Sequence, residues 1–301
     1  MSVAVAPSPR GIALSLLASS LFAMLPGYVT WLAPLDSVAI FAWRIVCTLP
    51  GVLLILQLSG KQRAFVDACR RLLREPRLML LVPLMSAMMG VQLWLFLWAP
   101  FHGQVVAVSL GYFLAPLVMV LVGRLLYGER LYRLQAIAVT LALLGVVHEV
   151  WRTQGLAWPT LLVVLGYPPY FVLRRLTGLD AVCGFALEMV LMLPLALLML
   201  AWQEPSGWIV LHEVKYWLLL PGLGLVSSVA LLCNIAASHL LPMGLWGLLG
   251  YVEPALLFVL AIGLLGEPLT ADSLLTYGPI WGAIVLTGIH TLRQQRVLPV
   301  R

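Results

Sequence analysis

Charge is what this chain has least of. Asp, Glu, Lys and Arg make up only 10% of its 301 residues, whereas soluble domains run near about 25%. With 62% apolar residues and a mean hydropathy of +1.02, the polar side chains are too few to coat a water-facing ball of this size. That excludes a soluble globular domain, and disordered and collagen-like chains with it. Cysteine is also scarce: Cys47, Cys69, Cys183 and Cys233 are scattered, with neither CxxC nor ligand spacing, so no disulfide framework or metal site follows. His102, His148, His212, His239 and His290 lie mostly at the ends of apolar runs and share no ligand spacing, so no metal and no other cofactor is implied. A Gly-x4-Gly-Lys-Ser/Thr loop is missing, which excludes an ATP-driven pump within this chain. HExxH, Gly-x-Gly-Asp and a serine with a histidine at its depth are missing too, which argues against an intramembrane enzyme.

What the chain does have is long apolar runs. A span needs about 20 apolar residues to cross roughly 30 Å of hydrocarbon. Runs that meet this fall near 11–32, 37–58, 78–98, 104–123, 134–150, 156–173, 180–202, 216–238, 243–265 and 274–292. The expectation is an all-α integral membrane protein of ten transmembrane helices. The first run is read as a retained helix rather than a signal, because further spans follow it.

The net charge of +6 and the pI near 9.4 would suit a nucleic-acid partner, but the basic residues stand at the ends of the apolar runs and serve as topology signals. With the N-terminus in the cytoplasm, that side receives all but three of the eighteen basic residues. The opposite side receives Arg152 and Lys215, and Arg44 alone falls inside a span. The excess of positive charge on one side predicts that both termini are cytoplasmic. Arg70, Arg71, Arg74 and Arg77 sit in the longest cytoplasmic loop, where anionic lipid headgroups are the expected partner.

The chain also repeats itself. A shift of 144 residues lays Leu35-Asp36 on Leu179-Asp180, Phe41-Ala42 on Phe185-Ala186 and Leu49-Pro50 on Leu193-Pro194. After a shorter loop a shift of 138 lays Pro83 on Pro221, Pro116 on Pro254 and Gly128-Glu129 on Gly266-Glu267. The organisation expected is a cytoplasmic N-terminus over 1–10, one five-helix repeat over 11–152, a second over 153–292 and a cytoplasmic tail over 293–301. Five spans per repeat is an odd number, so the second copy enters the membrane from the other side and the repeats are inverted. Inverted repeats suit alternating access, with a binding site near the midplane.

Phe41-Ala42-Trp43-Arg44, Trp94-Leu95-Phe96-Leu97-Trp98-Ala99-Pro100, Ser109-Leu110-Gly111-Tyr112-Phe113 and Gly123-Arg124-Leu125-Leu126-Tyr127-Gly128-Glu129-Arg130-Leu131 resemble the RarD-like (chloramphenicol-sensitivity protein) branch of the EamA-type transporters, in the drug/metabolite transporter superfamily. The resemblance covers almost the whole chain. It implies a ten-helix secondary transporter of the bacterial inner membrane, without an ATPase subunit. It further implies export of amino acids, related metabolites, amino-acid-derived metallophores or drugs.

A charge at the centre of a lone helix is unfavourable by roughly 2.5–3.5 kcal/mol on insertion scales, so each one in a span calls for a partner or a role. At about 1.5 Å per residue, Arg44 lies roughly 10 Å below the outer edge of its helix, while Glu188 and Glu253 lie about 12 Å and 15 Å above the inner edges of theirs. The repeat lays Arg44 on Glu188, opposite charges at one position, and Glu253 on Ala115. In the functional reading the forked guanidinium of Arg44 binds a substrate carboxylate, and Glu253 or Glu188 meets a substrate ammonium or exchanges a proton. In the structural reading Arg44 and Glu188 form an ion pair. Gln92, Trp94, Tyr112 and Tyr251 stand at comparable depth and suit an amphiphilic cargo, or equally plain packing. Tyr167-Pro168-Pro169-Tyr170 falls in mid-span, where paired prolines are expected to break the helix and expose backbone toward a cavity. Glu129 and Glu267 follow glycines at span ends, as caps or gates.

Together these residues describe a secondary active exporter of a small polar or zwitterionic, amino-acid-like molecule, with protons as the candidate coupling ion. The alternative is a facilitative channel-like or lipid/drug efflux protein without ion coupling.

Overall fold

In the computed structural model, residues 8–129, 131–152, 157–202, 210, 212–256, 259 and 271–297 are described. Every extended element among them is helical. In chain order these are α1 (Pro9–Thr30), α2 (Ser37–Leu58), α3 (Gln62–Arg74), α4 (Pro76–Phe101), α5 (Val105–Tyr127), α6 (Arg133–Arg152), α7 (Trp158–Thr177), α8 (Ala181–Trp202), α9 (Val214–Leu240), α10 (Met243–Leu249) and α11 (Ala271–Val297). Seven of them, α1, α2, α4, α5, α6, α8 and α9, are long and apolar enough to cross a membrane. The protein is a multi-pass membrane protein. No more than 56% of the most apolar stretch of any of these seven is buried within the protein. The rest, with Leu54, Leu80, Leu125, Leu144, Trp217 and Leu218 among the exposed side chains, needs a non-aqueous neighbour, which is lipid.

Local chemistry sets the helix ends. Asp36 caps α2, its Oδ1 accepting from the Ala39 N–H at 2.9 Å. Asp180, its mate under the repeat shift, caps α8 by accepting from the N–H groups of Val182 at 3.0 Å and Cys183 at 3.3 Å. Gly128 closes α5 in the left-handed region at φ 64°, a conformation glycine adopts without strain, and so turns the chain into Glu129.

Three features differ from the sequence reading. The helix α3 lies inside the loop between the second and third apolar runs, an eleventh helix that the span count did not contain. The paired prolines Pro168-Pro169 do not break α7, which is helical from Trp158 to Thr177. They forfeit two backbone hydrogen bonds, but their fixed φ is close to that of a helix. The interruption comes instead in the run 243–265: α10 ends at Leu249, the chain turns at Gly250-Tyr251, and helix resumes over 252–256. The cause is Pro254, whose ring would clash with the carbonyl of the residue four back, and that residue is Gly250.

The chain divides into two compact units. The first comprises Met1–Ala23, Val106–Pro168 and Ala236–Arg301, the second Met24–Val105 and Pro169–Ile235, so each draws on both expected repeats. In the first unit α6 packs along α11, and Leu110, Phe113, Val120, Ala138, Ala142, Val146, Leu248 and Ile280 form the core. In the second unit α2 packs along α8, α4 lies against both, and α3 sits on α4 and α8.

Candidate functional site

The second unit buries a set of charged and hydroxyl side chains inside apolar helices. Glu188 of α8 is 0% exposed and Arg174 of α7 is 1% exposed. Arg174 Nη1 donates to Glu188 Oε1, the Tyr170 hydroxyl donates to Glu188 Oε2 at 2.9 Å, and Arg174 Nη2 donates to the Ala181 carbonyl at 2.7 Å. Gly184 leaves room for this guanidinium, since a Cβ there would stand 3.0 Å from Arg174 Nη2. From α4, the Ser86 hydroxyl donates to the Glu188 backbone carbonyl at 3.0 Å. An ion pair this dry holds its geometry because removing either member strands a charge out of water.

Arg44, one helix over, is bonded differently. Its side chain is buried on α2, and Nε donates to the Ser227 hydroxyl of α9 at 2.9 Å. Helices α2 and α9 approach closely there: a Cβ on Gly224 would overlap the backbone of Cys47, and Ser228 Oγ donates to the Thr48 carbonyl at 2.9 Å. Gln92 of α4 is buried in the same unit, and Trp94 is half-buried in an aromatic row with Trp98, 5.5 Å between centroids, and then His102, 4.2 Å further and stacked.

The remaining expected site residues lie in the first unit. Tyr112 of α5 and Tyr167 of α7 meet edge to face at 5.7 Å. Tyr251 is fully buried at the interruption after α10, and its hydroxyl donates to the Phe113 carbonyl at 2.8 Å. Phe113 adjoins Tyr112, whose carbonyl is the one that Pro116 leaves without its helical donor, so the tyrosine bonds the ladder beside the proline. Glu253 is half-buried in the helical stretch that follows. Glu129 Oε1 and Oε2 accept from the N–H groups of Met243 at 2.6 Å and Gly244 at 2.8 Å, so the carboxylate caps the first turn of α10. Glu267 lies outside the described residues.

The nine site residues expected from sequence thus divide into Arg44, Gln92, Trp94, Tyr170 and Glu188 in one unit and Tyr112, Tyr167, Tyr251 and Glu253 in the other. Sequence reasoning missed Arg174, counting it with Arg175 as a cytoplasmic charge. The available signal was spacing, because Arg174 lies one helical turn past Tyr170 and shares its face. It also missed a polar cluster on α6 and α11, where Glu149 pairs with Arg152 and accepts from the Thr276 hydroxyl at 2.9 Å, with His148 Nδ1 2.9 Å from the same hydroxyl. Among the described residues no three His, Cys, Asp or Glu side chains converge in a way that could hold a metal ion.

A bundle of apolar helices with buried, specifically bonded charges is the pattern of a membrane transport protein. No protein-family model matches the chain. It is 50% identical over 289 residues to the chloramphenicol-sensitive protein RarD of Pseudomonas aeruginosa, covering 96% of this chain and 97% of that one. It is 35% identical to an uncharacterized transporter of Haemophilus influenzae, over 95% of this chain and 96% of that one, and 29% identical to protein RarD of Salmonella typhimurium, over 95% and 98%. A crystal structure with 18% sequence identity shares the fold at a TM-score of 0.65, covering 94% of this chain and 99% of the other. The chain belongs to the RarD family.

Proposed function

We propose that this membrane protein is a secondary carrier that exports a small zwitterionic, amino-acid-like metabolite from the cytoplasm by alternating access. Its frame is two inverted five-helix repeats, 11–152 and 153–292, forming ten spans with both termini in the cytoplasm and, as the resemblance implies, in the bacterial inner membrane. Support for the repeat comes from the matched caps Asp36 and Asp180, each at the start of a helix carrying a buried charge eight residues on. Arg44 carries the reading. A guanidinium buried within an apolar span and oriented by a serine hydroxyl is suited to a carboxylate in the cargo, by paired N–H donors. Glu253 is the candidate group for exchanging a proton.

A second reading, a facilitator without ion coupling, is favoured by one observation. Glu188, one of the two candidate proton carriers, is already held by Arg174 and Tyr170, which leaves coupling to Glu253. Purified protein reconstituted in liposomes loaded with radiolabelled amino acids separates the two. Efflux that rises with an imposed pH gradient and is lost in both Arg44→Ala and Glu253→Gln is the expected result. Gradient-independent efflux that survives Glu253→Gln but needs Arg44 would establish the facilitator. Non-saturating flux that is indifferent to both substitutions would overturn the carrier.

A further inference from the structure

The helix α3 joins the ends of two apolar spans, α2 and α4, so it lies at a membrane face. Its 13 residues have two unlike sides. Phe65, Ala68, Cys69 and Leu72, at helical spacing, pack on Leu78 and Val82 of α4 and on Leu179, Cys183 and Leu187. A second column runs Arg63, Val66, Arg70, Leu73, successive members three or four residues apart, with Arg74 beside it one turn beyond Arg70. Nothing among the described residues covers that column. Val66 is 46% exposed, Leu73 is 75% exposed, and the three arginines are exposed beside them. In water, two large aliphatic side chains at that exposure gain nothing, whereas at a bilayer surface they reach the acyl boundary while arginines reach phosphate.

The structure also sorts the arginines that the sequence grouped together. Arg71 is turned to Glu75, with Nε to Oε1 at 2.8 Å, and that hydrogen bond holds the Glu75 carboxyl below the usual carboxylate range. Its charge is matched locally. Arg70 has only a 3.3 Å contact with Asp67, both side chains being about two-thirds exposed, and Asp67 is the one acidic residue on α3 against four arginines. The uncompensated charge therefore lies on the exposed apolar column. At the helix start, Lys61 bonds Asp180 at 2.6 Å, tying α3 to the cap of α8.

We propose that α3 is an in-plane surface helix that binds anionic phospholipid headgroups through Arg63, Arg70 and Arg74, with Val66 and Leu73 inserted beside them. This goes beyond the transport reading and does not depend on it. The test is amide hydrogen exchange across α3 in the full-length protein, in nanodiscs of phosphatidylcholine alone and of phosphatidylcholine with phosphatidylglycerol. Exchange should slow about fivefold or more in the anionic discs, and that slowing should disappear at high salt. It should also be lost in Arg63→Gln/Arg70→Gln/Arg74→Gln and persist in Arg71→Gln, with exchange in α8 unchanged as the check on folding. Equal exchange in both discs would overturn the proposal, as would slowing that survives the triple substitution or high salt. Slowing that tracks protein concentration rather than lipid would overturn it in favour of a second copy of the chain. If the triple variant does not fold, the lipid and salt comparisons on the unaltered protein decide alone.

Discussion

Helices α2 and α8 align in sequence at a shift of 144 residues and pack on one another, yet each surrounds its buried charge differently. Both start at a capping aspartate and carry the charge eight residues further on. On α8, Glu188 is closed into an ion pair with Arg174 and a tyrosine hydroxyl. On α2, Arg44 is oriented by the neutral hydroxyl of Ser227. The shared spacing from cap to charge sets where each charge stands along its helix, while the neighbouring helix supplies a counter-charge in one case and a hydroxyl in the other. Matched prolines make the same point. Pro116 sits inside the continuous α5, whereas Pro254 stands in the helical stretch that resumes after the chain turns at Gly250-Tyr251, and the residue four back is Tyr112 in one case and Gly250 in the other.

The sharpest way to break the first comparison is Glu188→Ala, which strands a buried guanidinium. Thermal unfolding in detergent should show a loss of about 3–5 kcal/mol, most of it recovered in Arg174→Met/Glu188→Met, where no charge is left unmatched. Ser227→Ala should be milder, about 1–3 kcal/mol, since a hydrogen-bond partner is lost rather than a counter-charge. If it destabilises as much as Glu188→Ala, the contrast between a charge held by a counter-charge and one held by a hydroxyl fails. For the prolines, Tyr251→Phe removes the hydroxyl on the Phe113 carbonyl and should lower stability by about 1 kcal/mol in the same assay. No change would mean that α5 retains its ladder through Pro116 unaided.

The smallest effect concerns the caps. Burial alone would push the Asp180 carboxyl up, but the Lys61 ammonium and the N–H groups of Cys183 and Val182 outweigh it and hold the carboxyl below its ordinary value. A lowered carboxylate stabilises the fold above the unfolded pKa, and that contribution is lost as pH falls through the lower, folded value. The acid limb of a pH–stability profile should therefore lose a contribution below about pH 4 that Lys61→Met diminishes. With both side chains 37% exposed, the pair itself is worth only about 0.2–1 kcal/mol. A Lys61→Met profile that overlays the original would assign the shift to the backbone cap alone.

Much of this was legible in the chain. Positions of helices α1, α2, α4, α5, α6, α8 and α9 follow from apolar length, and the three mid-span charges stand out because charge is so rare. Arg174 was not legible as a buried residue, because proximity to a span end and a second arginine give it the signature of a topology signal. The amphipathic α3 was hidden for the opposite reason: its periodicity is strong, but it is too polar and short to register among spans. Tandem prolines drew attention to α7, which stays helical through them.

By itself the sequence determined that this is an apolar, helical, multi-pass protein, where seven of its long helices lie, and that Arg44 and Glu188 stand within apolar spans. Those outcomes depend on composition and on neighbours within a turn or two, which the linear order already contains. Only the tertiary structure decided that Glu188 belongs to Arg174, that Arg44 belongs beside Ser227, and that one face of α3 is exposed among the described residues. Ion pairing and burial depend on distances between segments that lie far apart along the chain, and packing alone sets those distances.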